Sequence, residues 1–372
     1  MDFDFSEDQQ QLRNAARRWV EKAYTFEHRR SAVQAGGFDR GTYSALAELG
    51  LTALTVPEAH GGMGMGAIEA MVVMEEMGRG MVLEPLAQSL IAAKVLSQYA
   101  TEDVQTQWLP RLASGEAVVV LAQQERRARY RWEQCESKAT PTEQGYSLTA
   151  QKSLVPAGDH ADAFIVPAML DGTMALFLLQ RDAPGVTTHG YITQDGSRAA
   201  EVEAERSPAT LITTQGLPAL ELALDIGSAA VCAEAVGAMD AVMHITADYL
   251  NQRKQFGVAI ASFQALRHRL ADMKMQLELA RSMSYYASLQ LDTPAEQRRR
   301  AIARARVQLS QAMRMVGQQS VQLHGGIGVT DEYIISHYFK KLTQLEMTYG
   351  DGLHHLGEVA ARMQETAGVS DD

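Results

Sequence analysis

Arg253 stands four residues before Gly257 in the run Tyr249–Met273, YLNQRKQFGVAIASFQALRHRLADM. Gly257 interrupts a helical pattern, so Arg253 is expected just before an interhelix corner. There a guanidinium reaches a ligand phosphate bidentately, which a lysine does not do. A second basic run, R126-R-A-R-Y-R-W132, falls in a connection between expected strands. It reads either as a solvated loop or as a surface that meets the phosphates of a nucleotide-bearing ligand or a partner subunit. The loop P57-E-A-H-G-G-M-G-M-G66 holds four glycines. No strand precedes it and no G-K-[ST] follows, so it reads as a flexible loop near a substrate entrance rather than a Walker-type cradle. His354-His355 has no third ligand spaced nearby and reads as a core or interface pair rather than a metal site. Asp195-Gly196 is a hairpin turn by composition.

These residues sit in a chain of 372 residues, 46% hydrophobic and 21% charged, long enough for two or three packed units. The net charge of −11 argues against general nucleic-acid or anionic-membrane binding, while leaving room for a small polyanion at a local basic cluster. Cys135 and Cys232 are the only cysteines, which suits a reducing compartment rather than a disulfide framework. The acidic start, MDFDFSEDQQ, is unlike a secretory signal. No apolar run is read as reaching the roughly 18 residues of a membrane helix. The expectation is a cytoplasmic protein.

Residues 1–115 read as helices. Ser6 is the expected N-cap of the first, a second ends at Leu49 before Gly50, and Met71, Met74, Met77 and Met81 form a core stripe on a third. From 116 to 218 the apolar period shortens. Runs at 118–122, 146–149, 163–166, 175–179, 200–202 and 210–212, separated by turn residues, predict a β-domain. From 219 to 372 four long helical segments are expected. The first, 220–251, is rich in small residues around Gly237 that allow close helix approach. The second carries the stripe Phe263, Leu266, Leu270, Met273 and Leu277. The third carries Leu309, Met313, Val316, Ser320 and Leu323. The fourth runs from Ile335 to about Met363. Pro294 separates the second from the third, which makes an antiparallel bundle. The tail 368–372 reads as disordered. The fold class is α+β: helical domain, β-barrel-like domain, four-helix bundle.

The run R253-x-Q-F256-G257 with F263-Q264 and L270-A-D-M273, and a second segment, V321-Q-L-H-G-G-I-G-V-T-D-E-Y333, resemble the flavin-contacting segments of acyl-CoA dehydrogenases. The resemblance covers nearly the whole chain. It implies FAD as cofactor, an acyl-CoA substrate and electron-transferring flavoprotein as acceptor. It also implies that Arg253, Gln255, Phe256, Ile260, Phe263, Gln264, Gln322, Gly325 and Gly326 hold the distal end of a flavin housed by a neighbouring subunit. Consecutive glycines allow backbone N–H groups to approach a pyrophosphate or ribose.

Two departures matter. Family members carry a catalytic Glu 27 positions after the flavin-binding Gln, and here that position is Tyr349, followed by Gly350. The alternative family position aligns with Gly227-Ser228, again without a carboxylate. Tyrosine, with a pKa of roughly 10, is a poor base at neutral pH. Glu346 and Asp351 stand nearby as candidates for a displaced base. The flavin-stacking W-x-T corresponds to Leu154 and Pro156, and a T-E-P-x-x-x-S segment to Gln124–Tyr130. Proline has no N–H to donate to a flavin ring. Segments such as G190-Y-I-T-Q-D-G-S-R198 and H337-Y-F-K-K-L342 are similar to pimeloyl-CoA dehydrogenase small subunits and related α2β2 heteromers. This implies a homologous large subunit that supplies the Glu and the ring pocket. A self-sufficient homo-oligomer and a non-catalytic scaffold are the alternatives.

Overall fold

The computed structural model describes residues 5–366 except 144; the expected disordered tail, 368–372, lies outside the described residues. The elements run α1 (Glu7–Ala23), α2 (Phe26–Gln34), α3 (Arg40–Glu48), α4 (Ala67–Gly80), α5 (Leu86–Tyr99) and α6 (Glu102–Ala113). Next come β1 (Val119–Leu121), β2 (Lys138–Thr142), β3 (Gly145–Pro156), β4 (Ala163–Leu170), β5 (Thr173–Gln180), β6 (Val186–Ile192) and β7 (Arg198–Thr213). The chain then continues through α7 (Gly216–Gln252), β8 (Lys254–Gln255), β9 (Val258–Ala259), α8 (Gln264–Leu289), α9 (Ala295–His324), α10 (Ile334–Met347) and α11 (Gly352–Thr366). Helical, β and helical regions follow one another as the residue periods anticipate.

The described residues form two compact units, one drawn from Met1–Arg29, Met71–Val82 and Ser228–Asp372, the other from Arg30–Ala70 and Leu83–Gly227. In the first, Ser6 caps α1 in a reciprocal box with Gln9. The small residues of α7 do what their size allows. A Cβ on Gly237 would lie 1.7 Å from the Glu75 carbonyl, and one on Gly78 would lie 1.9 Å from that of Glu234, so α4 and α7 touch backbone to backbone. Met273, Leu277, Leu309, Met313 and Val316 are fully buried in one core with α7. The fourth helical segment is two helices: Tyr349 and Gly350 take left-handed φ values of 58° and 119° and end α10.

The second unit carries a seven-stranded sheet of order β1-β4-β2-β3-β7-β5, with β6 on β7. β5 also pairs with β4, which closes the sheet on itself. Two expected runs, 200–202 and 210–212, belong to the single strand β7, which pairs in turn with β6, β3 and β5. The polar residues between them face outward on a continuous strand rather than marking a turn. Thr193, Asp195 and Ser197 hydrogen-bond one another in the tight β6–β7 turn.

One sequence expectation is corrected. α7 is long and apolar enough to cross a membrane by length and composition, with an 18-residue window of mean hydropathy 1.5. Its acidic residues are widely spaced, and 94% of that window is buried within the protein, so it is a core helix.

Candidate functional site

The corner after α7 is a two-residue hairpin. Lys254 pairs with Ala259 and Gln255 with Val258, leaving Phe256 and Gly257 at the tip with φ of 55° and 80°. Positive φ at both tip positions matches the right-handed twist of the strands. The Arg253 N–H donates to the Tyr249 carbonyl, and the Ile260 N–H returns to the Arg253 carbonyl, both at 2.8 Å. Ile260 is buried and roots the corner. What the corner presents is unsatisfied. The Phe256 ring is 91% exposed, touching only the edge of Phe263 at 6.1 Å. The Arg253 guanidinium has no hydrogen-bond or ion-pair partner among the described residues, and Gln264 is exposed beside it. Gln255 turns back on the Lys254 carbonyl.

The second arm follows α9. Gly325 takes φ 64°, ψ −141°, backbone angles that favour glycine, while a Cβ on Gly326 would meet nothing within 4 Å. The chain's own packing therefore gives no reason for glycine at 326; space is left open there. Gln322 is exposed on the last turn of α9.

A link that sequence reasoning missed joins the arms. The Tyr249 hydroxyl, one turn before Arg253, donates to the His324 carbonyl at 3.2 Å, and the two rings lie 4.4 Å apart. Tyr333 packs on the other side of His324 at 5.2 Å. Nδ1 of His324 bonds the Ser320 carbonyl, and burial lowers the pKa of this ring, which keeps it neutral. The only sequence signal was an aromatic residue one turn before the corner.

Position 349 lies in the break between α10 and α11, held from beneath by Arg306, which is fully buried. Its Nη2 donates to the carbonyls of Leu345, Glu346, Thr348 and Gly350 at 2.8–3.2 Å. Its Nε donates to Nε2 of His355, a ring whose pKa burial, with Arg306 beside it, drives down to about 2. His355 is thus a core acceptor. The two displaced-base candidates both cap α11: Glu346 Oε1 accepts from the Gly352 N–H at 3.1 Å and Asp351 Oδ1 from the His354 N–H at 2.9 Å. Glu346 lines a cleft of about 430 Å³ with Ser310, Arg314 and Leu353.

In the β unit, β3 carries a bulge between Lys152 and Val155, with Leu154 at φ 52° and 48% exposed. The donors here are engaged internally. The Ser153 N–H goes to the Gln124 carbonyl and that of Ala157 to the Arg198 carbonyl. The Leu154 N–H goes to the Tyr191 hydroxyl, which itself donates to Glu201 at 3.1 Å; burial and this carboxylate push Tyr191 up to about 12. Pro156 has no N–H at all.

Beneath the bulge Glu125 accepts from Lys152 Nζ at 2.6 Å, Ser137 Oγ at 2.7 Å and the Glu136 N–H at 2.7 Å. Burial alone would raise this carboxyl, but Lys152 and the hydrogen bonds win and lower it to about 2. Because the folded pKa lies below the ordinary 4.5, the pair's stabilisation is complete above pH 4.5 and is lost as pH falls toward 2. Glu125→Gln should remove about 2 kcal/mol at pH 7 and flatten the acid limb of stability against pH. Urea titrations at pH 7 and pH 3.5 check this, and an unchanged acid limb in the variant refutes it.

Family models for the acyl-CoA dehydrogenase N-terminal and C-terminal domains match residues 6–116 and 214–364. Acyl-CoA dehydrogenase IpdE2 of Mycolicibacterium smegmatis is 30% identical over 338 residues, 90% of this chain and 92% of that protein. This chain belongs to the acyl-CoA dehydrogenase family. Members of the family are FAD-dependent oxidoreductases acting on CH–CH bonds. Among solved structures, the ChsE4–ChsE5 complex from Mycobacterium tuberculosis is similar at 26% identity and TM-score 0.91, over 98% of this chain and 99% of that one. A chain in the structure entitled electron transferring flavoprotein of Acidaminococcus fermentans is similar at 26% identity and TM-score 0.90, over 98% and 99%.

The residues of this acyl-CoA dehydrogenase suit the two ends of FAD unequally. The corner and the glycine loop suit the nucleotide end: a free guanidinium, an uncovered aromatic ring and an open glycine face one ligand-sized need. The β3 bulge does not suit the isoalloxazine ring. Its N–H groups at 153, 154 and 157 are engaged within the chain, and position 156 has none.

Proposed function

We propose that this chain is one subunit of a heteromeric, FAD-dependent acyl-CoA dehydrogenase that forms the α,β double bond of an acyl-CoA thioester. A homologous large subunit supplies the catalytic Glu and the ring pocket in an α2β2 assembly, electron-transferring flavoprotein takes the electrons, and the complex works in the cytoplasm. The observation that carries this reading is an asymmetry. The nucleotide-clamp residues Arg253, Phe256 and Gly326 are left without partners in this chain, while position 349 holds tyrosine and both nearby carboxylates cap α11. Similarity to the ChsE4–ChsE5 complex supports a heteromer.

When bound, FAD supplies the acceptor for the hydride leaving the β carbon. This chain's part is to bind and orient. Arg253 meets the pyrophosphate charge, Phe256 covers an apolar face, and the N–H groups of Gly325 and Gly326 approach the nucleotide from the second arm. The Tyr249–His324 bond sets the spacing of the two arms.

Purification tests the proposal. The chain alone should be colourless and inert toward acyl-CoA with an artificial dye, and should become yellow and active when co-expressed with a Glu-bearing homologue. A lone chain that holds one flavin per protomer and reduces dye would overturn it. In the assembled enzyme, Tyr349→Phe should keep kcat within about twofold, since a phenol of pKa roughly 10 removes no α proton at neutral pH. A fall of roughly a hundredfold would instead make Tyr349 part of the chemistry.

A further inference from the structure

The arginine run 126–132 is neither mobile nor neutralised. Glu125 closes its base by accepting from the N–H groups of Glu136 and Ser137 on the far side of the loop. Successive turns, Ala128 N–H to the Glu125 carbonyl, Arg131 N–H to that of Ala128 and Gln134 N–H to that of Arg131, order the backbone between. Arg129 sits at φ 50°, a left-handed angle that a non-glycine residue keeps only where its surroundings enforce it.

This frame carries four guanidinium groups in six residues with no acid among them. Arg126 and Arg127 are 82% and 86% exposed, and their nearest carboxylates, Glu201 and Glu136, stand off at 3.5 Å and 3.7 Å. Such pairs are weak and yield readily to a better anion. Arg131 donates to the Arg127 carbonyl, bringing those two residues together, and Arg129 stacks over Tyr130 at 4.9 Å.

We propose that this loop binds the clustered phosphates of a nucleotide, namely the 3′-phosphate and pyrophosphate of coenzyme A, with Arg127 and Arg131 as the principal contacts. This rests on the reading of the chain as an acyl-CoA-handling protein. A planar guanidinium takes two phosphate oxygens at once, so adjacent arginines on an ordered loop select clustered phosphates over a single carboxylate. The net charge of −11 disfavours a long polyanion, which would meet repulsion beyond the loop, whereas a compact nucleotide spans only the basic patch. Arg126, tied through Glu201 and Tyr191 to the Leu154 bulge, sets the loop beside β3.

Calorimetric titration of the full chain at low salt tests this with coenzyme A, 3′-dephospho-coenzyme A and pantetheine. Coenzyme A should bind, the dephospho form roughly tenfold more weakly, and pantetheine at least roughly a hundredfold more weakly. Arg127→Glu/Arg131→Glu should weaken coenzyme A at least roughly thirtyfold and reduce the salt dependence, with an unchanged melting temperature because both side chains lie in solvent. No binding of coenzyme A, equal binding of pantetheine, or an unchanged affinity in the double variant would overturn the assignment. So would a double variant that keeps its coenzyme A affinity but no longer assembles with a homologous chain, which would make the loop a protein interface. Loss of flavin from Arg253→Ala is a separate readout, so failure of the clamp and failure of this loop are told apart.

Discussion

Arg306→Met is expected to lower stability by about 3–5 kcal/mol, a fall in melting temperature on the order of 6–15 °C. Methionine matches the length of the side chain but offers no donor. Four buried or half-buried carbonyls at 345, 346, 348 and 350 would then lose the group that satisfies them. A buried acceptor left bare forfeits its hydration without compensation, at about 1–3 kcal/mol each when no relaxation occurs. Lysine should recover only a minor part, because a compact ammonium cannot fan its donors across the break as a planar guanidinium does.

His355 sharpens the test. Its folded pKa, about 2, lies below the ordinary 6.5, so stability is lost as pH falls below about 6.5, where only the unfolded chain takes up the proton. With Arg306 gone, burial still lowers this pKa but the nearest cation does not, and that loss should become shallower. Differential scanning calorimetry from pH 5 to pH 8 measures both effects. A melting temperature within about 2 °C of the parent would refute the role given to Arg306.

The second large effect falls on binding. Arg253→Ala should raise the dissociation constant for FAD in the assembled enzyme roughly 30- to 100-fold, or about 2–2.7 kcal/mol. Arg253→Lys should restore the charge but not the paired hydrogen bonds, leaving an intermediate affinity. The lone chain should melt as before in both variants, since the exposed guanidinium supports nothing within it. Phe256→Ala should likewise leave the lone chain intact and weaken the flavin, because a ring 91% exposed gains its packing only in the complex. Flavin fluorescence recovered on titration reads the affinity directly. An affinity within about threefold of the parent in Arg253→Ala would remove the corner from the flavin site.

The residues at issue were legible in the sequence to different degrees. The stripes of α8 and α9, the Ser6 cap, the small residues of α7 and the turn at Phe256-Gly257 are local patterns, set by neighbours a few positions apart. Periodicity and turn chemistry expose such patterns without any knowledge of the fold. The tyrosine at 349, where relatives carry a glutamate, was equally a matter of reading one position. The fused strand β7 was not legible, because its polar middle looks like a turn until β6 and β3 pair with it. Nor was the span of α7, whose apolar length suits a membrane until helices cover it.

The sequence alone thus determined which helices form, which faces they bury, where the corner lies and that no carboxylate occupies position 349. Tertiary structure decided the rest. It brought Tyr249 to the carbonyl of His324, 75 residues away; Arg306 to the break between α10 and α11; and Tyr191 to the N–H of Leu154. The reason is physical. Backbone periodicity and capping depend on residues within a turn or two, whereas a buried polar group takes whichever partner the packed chain brings within about 3 Å, and that partner has no fixed spacing in sequence.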